Sequence, residues 1–206
     1  MSVLSAADRE RITAVIAEVE ATTAGEVVVA TVSRSGEYSI PRVPIAIAFS
    51  AATTLAIHSL LALSAPQAIL AQLVLAMMFY AVTGAGVLVR LLVPSGELDE
   101  RSRARAFELF SDLGVHRTTD GSGILLAISE LEHRVVILAD YGIHARVGEH
   151  EWQQHVDAIV RGIAEGRATD SIIAEIKTLG TLLTQEFPAE GENRNQLGNE
   201  VEHRDR

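Results

Sequence analysis

Two carboxylates stand at the ends of predicted β-strands, where a metal ion can be held. Glu26 opens the apolar run 26–32, and Asp140 closes the run 134–140. Carboxylate oxygens are hard ligands that suit Ca²⁺ or Mg²⁺. If the two strands are parallel neighbours, the groups lie at opposite ends of the sheet, whereas antiparallel strands let them meet. The alternative hypothesis is structural, with Glu26 bonding a loop and Asp140 capping the turn that follows it.

The other motifs that carry chemistry are incomplete. His150 and His155 lie five positions apart, about 140° around a helix, whereas a zinc-protease helix needs H-E-x-x-H. The Gly-rich stretch 120–123 lacks the Lys and Ser/Thr of a phosphate-binding loop, and an apolar strand pattern follows it. No G-x-S-x-G nucleophile elbow occurs. The sequence therefore shows no complete catalytic centre.

Composition excludes several classes of function. The chain of 206 residues has a formal net charge of -10, which argues against a nucleic-acid partner because phosphate contacts need clustered Lys and Arg. It contains no Cys, so disulfides, thiolate metal sites and Cys nucleophiles are excluded. The first forty residues carry scattered charges and no long apolar run, which is not the pattern of a secretory signal peptide.

A long uncharged segment predicts a membrane hairpin. No Asp, Glu, Lys or Arg occurs between Arg42 and Arg90, and a membrane span needs about 20 apolar residues. We place the two spans at 43–64 and 68–92, with the break at Pro66, because proline ends a helix. The alternative is a buried helical hairpin of a soluble protein.

Arginines predict the orientation of this hairpin, since positive charge stays on the cytoplasmic side. The turn at 64–67 carries none, while the outer flanks carry six: Arg34, Arg42, Arg90, Arg101, Arg103 and Arg105. Both arms are therefore expected in the cytoplasm, with the turn outside and membrane lipid around the spans. His58 lies late in the first span, and an interfacial position is favoured over a functional one.

Small residues repeat every fourth position along the first span, which lets helix backbones approach closely. The two sets are Ala46, Ser50, Thr54 and Ala48, Ala52, Ala56. They are interpreted as the packing face either of the hairpin or of a homo-oligomer, and both alternatives stay open.

Four helices and three strands are predicted outside the apolar run, from hydrophobic spacing and from β-branched runs. The helices cover 6–21, 97–115, 149–166 and 170–187, and the strands cover 26–32, 123–129 and 134–140. The two later strands predict an antiparallel pair in the centre of a sheet. Trp152 is predicted to pack against this sheet, the alternative being an anchor at the membrane interface.

The arm before the apolar run is too short to bury a core alone, because it contains one helix and one strand. We therefore expect residues 1–40 and 97–188 to form one α/β domain, with transmembrane helices inserted over 43–92. The strand 26–32 is expected to join the same sheet as the two later strands. The polar segment 189–206 is predicted to be disordered.

Several segments, read in order, resemble the TPM domain family, also called the TPM phosphatase domain. They include "AEVEATTAGEVVVATV", "GVHRTTDGSGILLAISELEHRVVILADYGIHARV" and "EWQQHVDAIVRGIAEG". The order of motifs is similar to the bacterial membrane-protein branch, which has a two-helix hairpin after the first strand. The resemblance implies a three-layer α/β/α fold with a mixed sheet, location in the bacterial inner membrane, divalent-cation binding and, in plant members, weak acid phosphatase activity. By position, Glu26, Asp140 and Gly142 match the family's Glu and D-x-G motifs.

Two hypotheses of function follow. In the first, an integral membrane protein presents a cytoplasmic TPM-like domain as a non-enzymatic accessory or interaction module, with an unidentified protein partner or a homo-oligomer formed through the spans. In the second, the protein is a divalent-metal-dependent phosphatase of low activity, and Glu26 and Asp140 hold Ca²⁺ or Mg²⁺. An enzyme is expected to gather several acidic groups in one concave site, whereas an interaction module shows scattered ones.

Overall fold

A computed structural model of the chain describes residues 3–38, 42–82, 86–118, 120–146, 149–189 and 197–205. Two compact units make up the chain. One unit is an α/β unit formed by Met1–Gly36 together with Leu98–Arg206, and the other is a helical unit formed by Glu37–Glu97.

In the α/β unit one helix and one strand come before the helical unit, and the other three strands come after it in the chain. The helices are α1 Ala6–Glu20, α2 Arg42–Leu61, α3 Ala65–Val82, α4 Val87–Leu92, α5 Ser95–Asp112, α6 Tyr141–His144, α7 Glu149–Ala164 and α8 Ala168–Glu186. The strands are β1 Glu26–Val32, β2 Gly123–Ser129, β3 Arg134–Ala139 and β4 Glu202–Arg204.

The four strands form one mixed sheet in the order β3-β2-β1-β4. β1 is parallel to both β2 and β4, and β2 is antiparallel to β3. This confirms that the strand 26–32 shares a sheet with the two later strands, despite its distance along the chain. β3 lies at the edge rather than in the centre, and four of its six residues are only half-buried.

Alternate residues of β1 and β2 point into two apolar cores, which places helices on both faces of the sheet. Val27, Val29 and Leu126 belong to the core that includes residues of α1, α7 and α8. Val28 and Leu125 belong to the core that includes residues of α5. Both strands are buried along their whole length, because each face is covered, and this explains their continuous apolar sequence.

Trp152 lies in the core shared with α1 and α8 and is 9% exposed. The prediction that this tryptophan packs in the α/β core is confirmed. Its ring centroid lies 6.4 Å from the rings of both His144 and His155.

In the helical unit, α2 and α3 form a helical hairpin, and a polar contact joins the two helices. Gln72 Nε2 of α3 donates to Ser50 Oγ of α2 at 2.8 Å, and Ser50 and Ala46 are buried. The first set of small residues therefore lies at the seam between these two helices. The second set, Ala48, Ala52 and Ala56, is exposed.

One helix among the described residues, Val43–Leu61, is long and apolar enough to cross a membrane. The apolar stretch Ala65–Ala81 of α3 is shorter. The predicted second span 68–92 corresponds to two helices, α3 and α4, and residues 83–85 between them lie outside the described residues.

The prediction of a disordered segment over 189–206 is wrong for its described end. Glu202–Arg204 form β4, which pairs with Ala30–Val32 of β1. Composition favoured disorder, but the exposed edge of β1 offers backbone partners, and Val201 and Leu197 add apolar contacts with the two cores. Residues 190–196 lie outside the described part of the chain.

Candidate functional site

Glu26 and Asp140 lie at the same end of the sheet's strands but not side by side. β1 begins at this end and β3 finishes there, because both pair with β2 and run in opposite directions. β2 separates them, so their backbones are two strand spacings apart, about 10 Å. Of the two arrangements considered from sequence, the strands have the antiparallel one, but they are not neighbours.

Glu26 is paired with a second carboxyl group, that of Glu20 at the end of α1. Their side chains form a hydrogen bond, and both are buried, at 1% and 5% exposure. Glu20 Oε1 also accepts from the backbone N–H of Val27 at 2.9 Å, and the side chain of Asn199 hydrogen-bonds to Glu20 as well. We refer to Glu20 and Glu26 as the carboxyl pair.

Burial, together with the neighbouring carboxyl group of Glu26, raises the pKa of Glu20 from 4.5 to about 8. The hydrogen bonds from Val27 and Asn199 oppose this shift because they favour the charged carboxylate. Glu20 therefore keeps its proton at neutral pH, so the carboxyl pair shares one proton. Such a pair can donate or accept a proton, but its burial keeps substrates away in this conformation.

Sequence reasoning missed Glu20, although a signal was present. Ile12, Ile16 and Glu20 follow one another at intervals of four and are all buried on one face of α1. A glutamate that continues an apolar helical stripe indicates a buried carboxyl group, which needs a partner.

Asp140 caps the short helix α6, as the structural alternative supposed. Its Oδ1 accepts from the backbone N–H of Tyr141 at 2.7 Å. The side chain is 9% exposed, and among the described residues its buried Oδ2 has no hydrogen-bond partner. This oxygen can accept one further ligand or donor.

The start of α6 crosses the loop before β2 at close range, and two glycines allow the crossing. Gly121 has φ +61, a conformation that favours glycine, and its carbonyl accepts from Gly142 N at 3.0 Å. A Cβ at Gly142 would lie 2.3 Å from the backbone oxygen of Asp120. The crossing therefore fixes Asp140 against the loop.

Gly142→Ala is expected to lower the stability of the α/β unit by about 1–3 kcal/mol, since the added methyl group meets backbone rather than a movable side chain. Thermal denaturation followed by circular dichroism measures the change. Gly198→Ala is the control, because Gly198 lies in the same unit and a Cβ there meets nothing within 4 Å. An unchanged melting temperature in Gly142→Ala would show that the crossing can accommodate the added methyl group without loss of stability.

The residues present do not form a cation site shared by Glu26 and Asp140. Among the described residues, no group of three or more His, Asp or Glu side chains can hold a metal ion. Glu26 hydrogen-bonds to Glu20, and β2 lies between Glu26 and Asp140. The oxygen ligands of Ca²⁺ lie about 2.3–2.6 Å from the ion, which is much less than the separation of the two strands.

His155 belongs to a contact between helices rather than to a zinc motif. Its Nδ1 lies 2.6 Å from Glu175 Oε2, which joins α7 to α8. The side chain of His150 lies outside the described residues, so its placement is not part of this geometry.

Comparisons with known proteins give a family and a fold. The model of the TPM domain family matches residues 78–182. The fold is similar to that of the BA42 protein from the psychrophilic bacterium Bizionia argentinensis, solved by NMR, with a TM-score of 0.62 at 17% identity over 98% of this chain and 96% of that one. Among curated proteins, no significant match was found.

Proposed function

This chain belongs to the TPM domain family, and on that premise we propose that it is an integral membrane protein of the bacterial inner membrane. Its TPM domain faces the cytoplasm and acts as a non-enzymatic accessory or interaction module. Both α2 and α3 span the bilayer in this proposal, and the turn between them lies outside the cell membrane.

The observation that carries the proposal is the concentration of exposed apolar side chains on the helical unit. Among the described residues, only three of the large hydrophobic side chains that are exposed lie outside Val43–Leu92, namely Phe107, Tyr141 and Val160. Leu60 is 82% exposed and Met77 73% exposed. Soluble proteins rarely leave such a continuous apolar surface in water, and lipid would cover it.

The polar contacts of the helical unit also suit a bilayer. Gln72 donates to Ser50 within the hairpin, and Thr53 Oγ1 donates to the backbone oxygen of Phe49. Hydroxyl and amide groups satisfied in this way avoid the cost of unpaired polar groups in hydrocarbon. The exposed stripe of Ala48, Ala52 and Ala56 stays available for a homo-oligomer.

The separation of the acidic groups favours an interaction module over a metal-dependent phosphatase. Catalysis of phosphoryl transfer with metal ions needs carboxylates that converge on the cation. Here the carboxyl pair is buried, and β2 stands between Glu26 and Asp140. Hydrolysis of p-nitrophenyl phosphate by the purified full chain with Ca²⁺ or Mg²⁺, abolished by Asp140→Asn, would contradict the proposal.

Membrane insertion is tested by placing charge in the middle of both helices. The full chain is expected to stay with membranes after alkaline carbonate extraction. The double variant Leu55→Lys, Leu73→Lys is expected to be released in large part, because each central lysine costs about 2.5–3.5 kcal/mol on insertion. Both positions are exposed, at 69% and 62%, so the substitutions do not disturb the packing of the hairpin.

Phe107→Lys is the matched control for this experiment, since Phe107 is an exposed apolar residue of the α/β unit. This variant is expected to stay in the membrane fraction. Extraction of the unaltered chain by carbonate would contradict insertion. Orientation is tested with a reporter that is active only on the outer side of the membrane, fused after residue 206. This reporter is expected to be inactive. Reporter activity would contradict a cytoplasmic TPM domain.

A further inference from the structure

The described segment 197–205, which we call the strap, runs along the open edge of β1. At the start of β1 the side chain of Asn199 hydrogen-bonds to Glu20. At the other end, Ser33 N donates to the backbone oxygen of Arg204 at 3.1 Å. The strap thus covers β1 from the carboxyl pair to the end of the strand.

The strap is attached by a short stretch of backbone pairing. Its strand β4 has three residue partners on β1. Side-chain contacts add to them: Thr31 Oγ1 lies 2.8 Å from His203 Nδ1 and donates to the backbone oxygen of Glu202 at 3.4 Å, and Ser33 Oγ donates to Asp205 Oδ1 at 3.3 Å. Within the strap no residue is buried, since each is half-buried or exposed. Segments with little buried apolar surface open at a lower free energy than the core of a domain.

The strand beside the strap is buried, whereas the strap itself is not. All seven residues of β1 are buried, and Glu20 and Glu26 are 5% and 1% exposed. Asn199 is the strap residue in contact with the carboxyl pair. A segment without buried residues therefore borders a fully buried strand and contacts one of two adjacent buried carboxyl groups.

We propose that the strap is a lid, which opens while the rest of the α/β unit stays folded and thereby gives solvent access to the carboxyl pair. With the lid closed, the carboxyl pair is shielded from solvent and does not react. With the lid open, the pair exchanges its shared proton with solvent and presents oxygens to a solute. This device does not depend on membrane insertion or on the module proposed above.

A disulfide that locks the strap tests the lid. Ser33→Cys with Asp205→Cys places two cysteines where the native side chains touch, in a chain that has no other cysteine. Carboxyl groups are then amidated in the full chain with a water-soluble carbodiimide and glycine amide, and the modified residues are read by mass spectrometry. Amidation of Glu20 and Glu26 is expected to be at least about tenfold faster in the reduced protein than in the oxidised one.

Glu18 is the internal control, because it is an exposed glutamate on the same helix and should react equally in both states. Equal amidation of the carboxyl pair in the locked and unlocked proteins would overturn the proposal.

A second variant, Asn199→Ala, loosens the lid without a crosslink. It is expected to speed amidation of the carboxyl pair by several-fold, while hydrogen exchange in the β2–β3 ladder stays unchanged. Loss of protection in that ladder at the same rate as in the strap would overturn the proposal, because the carboxyl pair would then be reached only through unfolding of the whole unit.

Discussion

Trp152→Ala is expected to lower the free energy of unfolding of the α/β unit by about 3–5 kcal/mol, the usual range for removing a buried large aromatic side chain. Trp152 is 9% exposed and packs in the core with residues of α1 and α8. Truncation leaves a cavity beside the rings of His144 and His155. Far-ultraviolet circular dichroism during denaturation measures the change, since the variant has no tryptophan left.

Gln154→Ala is the matched control, because Gln154 is exposed on the same helix, and its transition is expected to stay within about 0.5 kcal/mol of the unaltered chain. An unchanged transition in Trp152→Ala would contradict the core position. Quenching of Trp152 fluorescence by lipid-borne quenchers would contradict it as well, since it would place the indole at the membrane interface.

The carboxyl pair should make stability depend on pH between about 4.5 and 8. Burial raises the pKa of Glu20 from 4.5 to about 8 in the folded protein, so in this window the unfolded chain releases a proton that the folded protein keeps. Folding stability therefore falls as pH rises from 4.5 to 8 and loses no more above 8. We expect the unaltered chain to melt at a higher temperature at pH 5 than at pH 8, by at least about 5 °C.

Glu20→Gln keeps the shape of the side chain and removes its charge, so the difference in melting temperature between pH 5 and pH 8 should shrink strongly. The variant should also melt above the unaltered chain at pH 8. Glu18→Gln is the control, because Glu18 is exposed on the same helix and should keep the pH dependence. A Glu20→Gln protein with the full pH dependence would show that another group carries it.

The strands that the sequence predicts best are those with helices packed on both faces. The bounds 26–32 and 123–129 match β1 and β2 residue for residue, because short, nearly continuous apolar runs are typical of strands buried on both faces. β4 has no such signal. Its residues Glu202, His203 and Arg204 are polar, and the strand exists because the distant edge of β1 supplies hydrogen-bond partners, which no local pattern records.

The candidate site was harder to predict for a different reason. The positions of Glu26 and Asp140 at strand ends could be derived from sequence, but their separation depends on the strand order, and spacing along the chain does not determine whether β2 lies between them. Glu20 was derivable in principle from its place on the buried face of α1. Its contact with Glu26 requires the turn between α1 and β1, whose path follows from tertiary packing.

The strand order has a consequence for synthesis on the ribosome. β1 and β2 are neighbours in the sheet, yet residues 33–122 must be translated between them. At about 5–20 residues per second, β1 emerges roughly 5–18 s before its partner. During that interval a strand with six apolar or β-branched residues has no sheet to join, so the nascent chain depends on chaperones or on early helix contacts to keep it from aggregating.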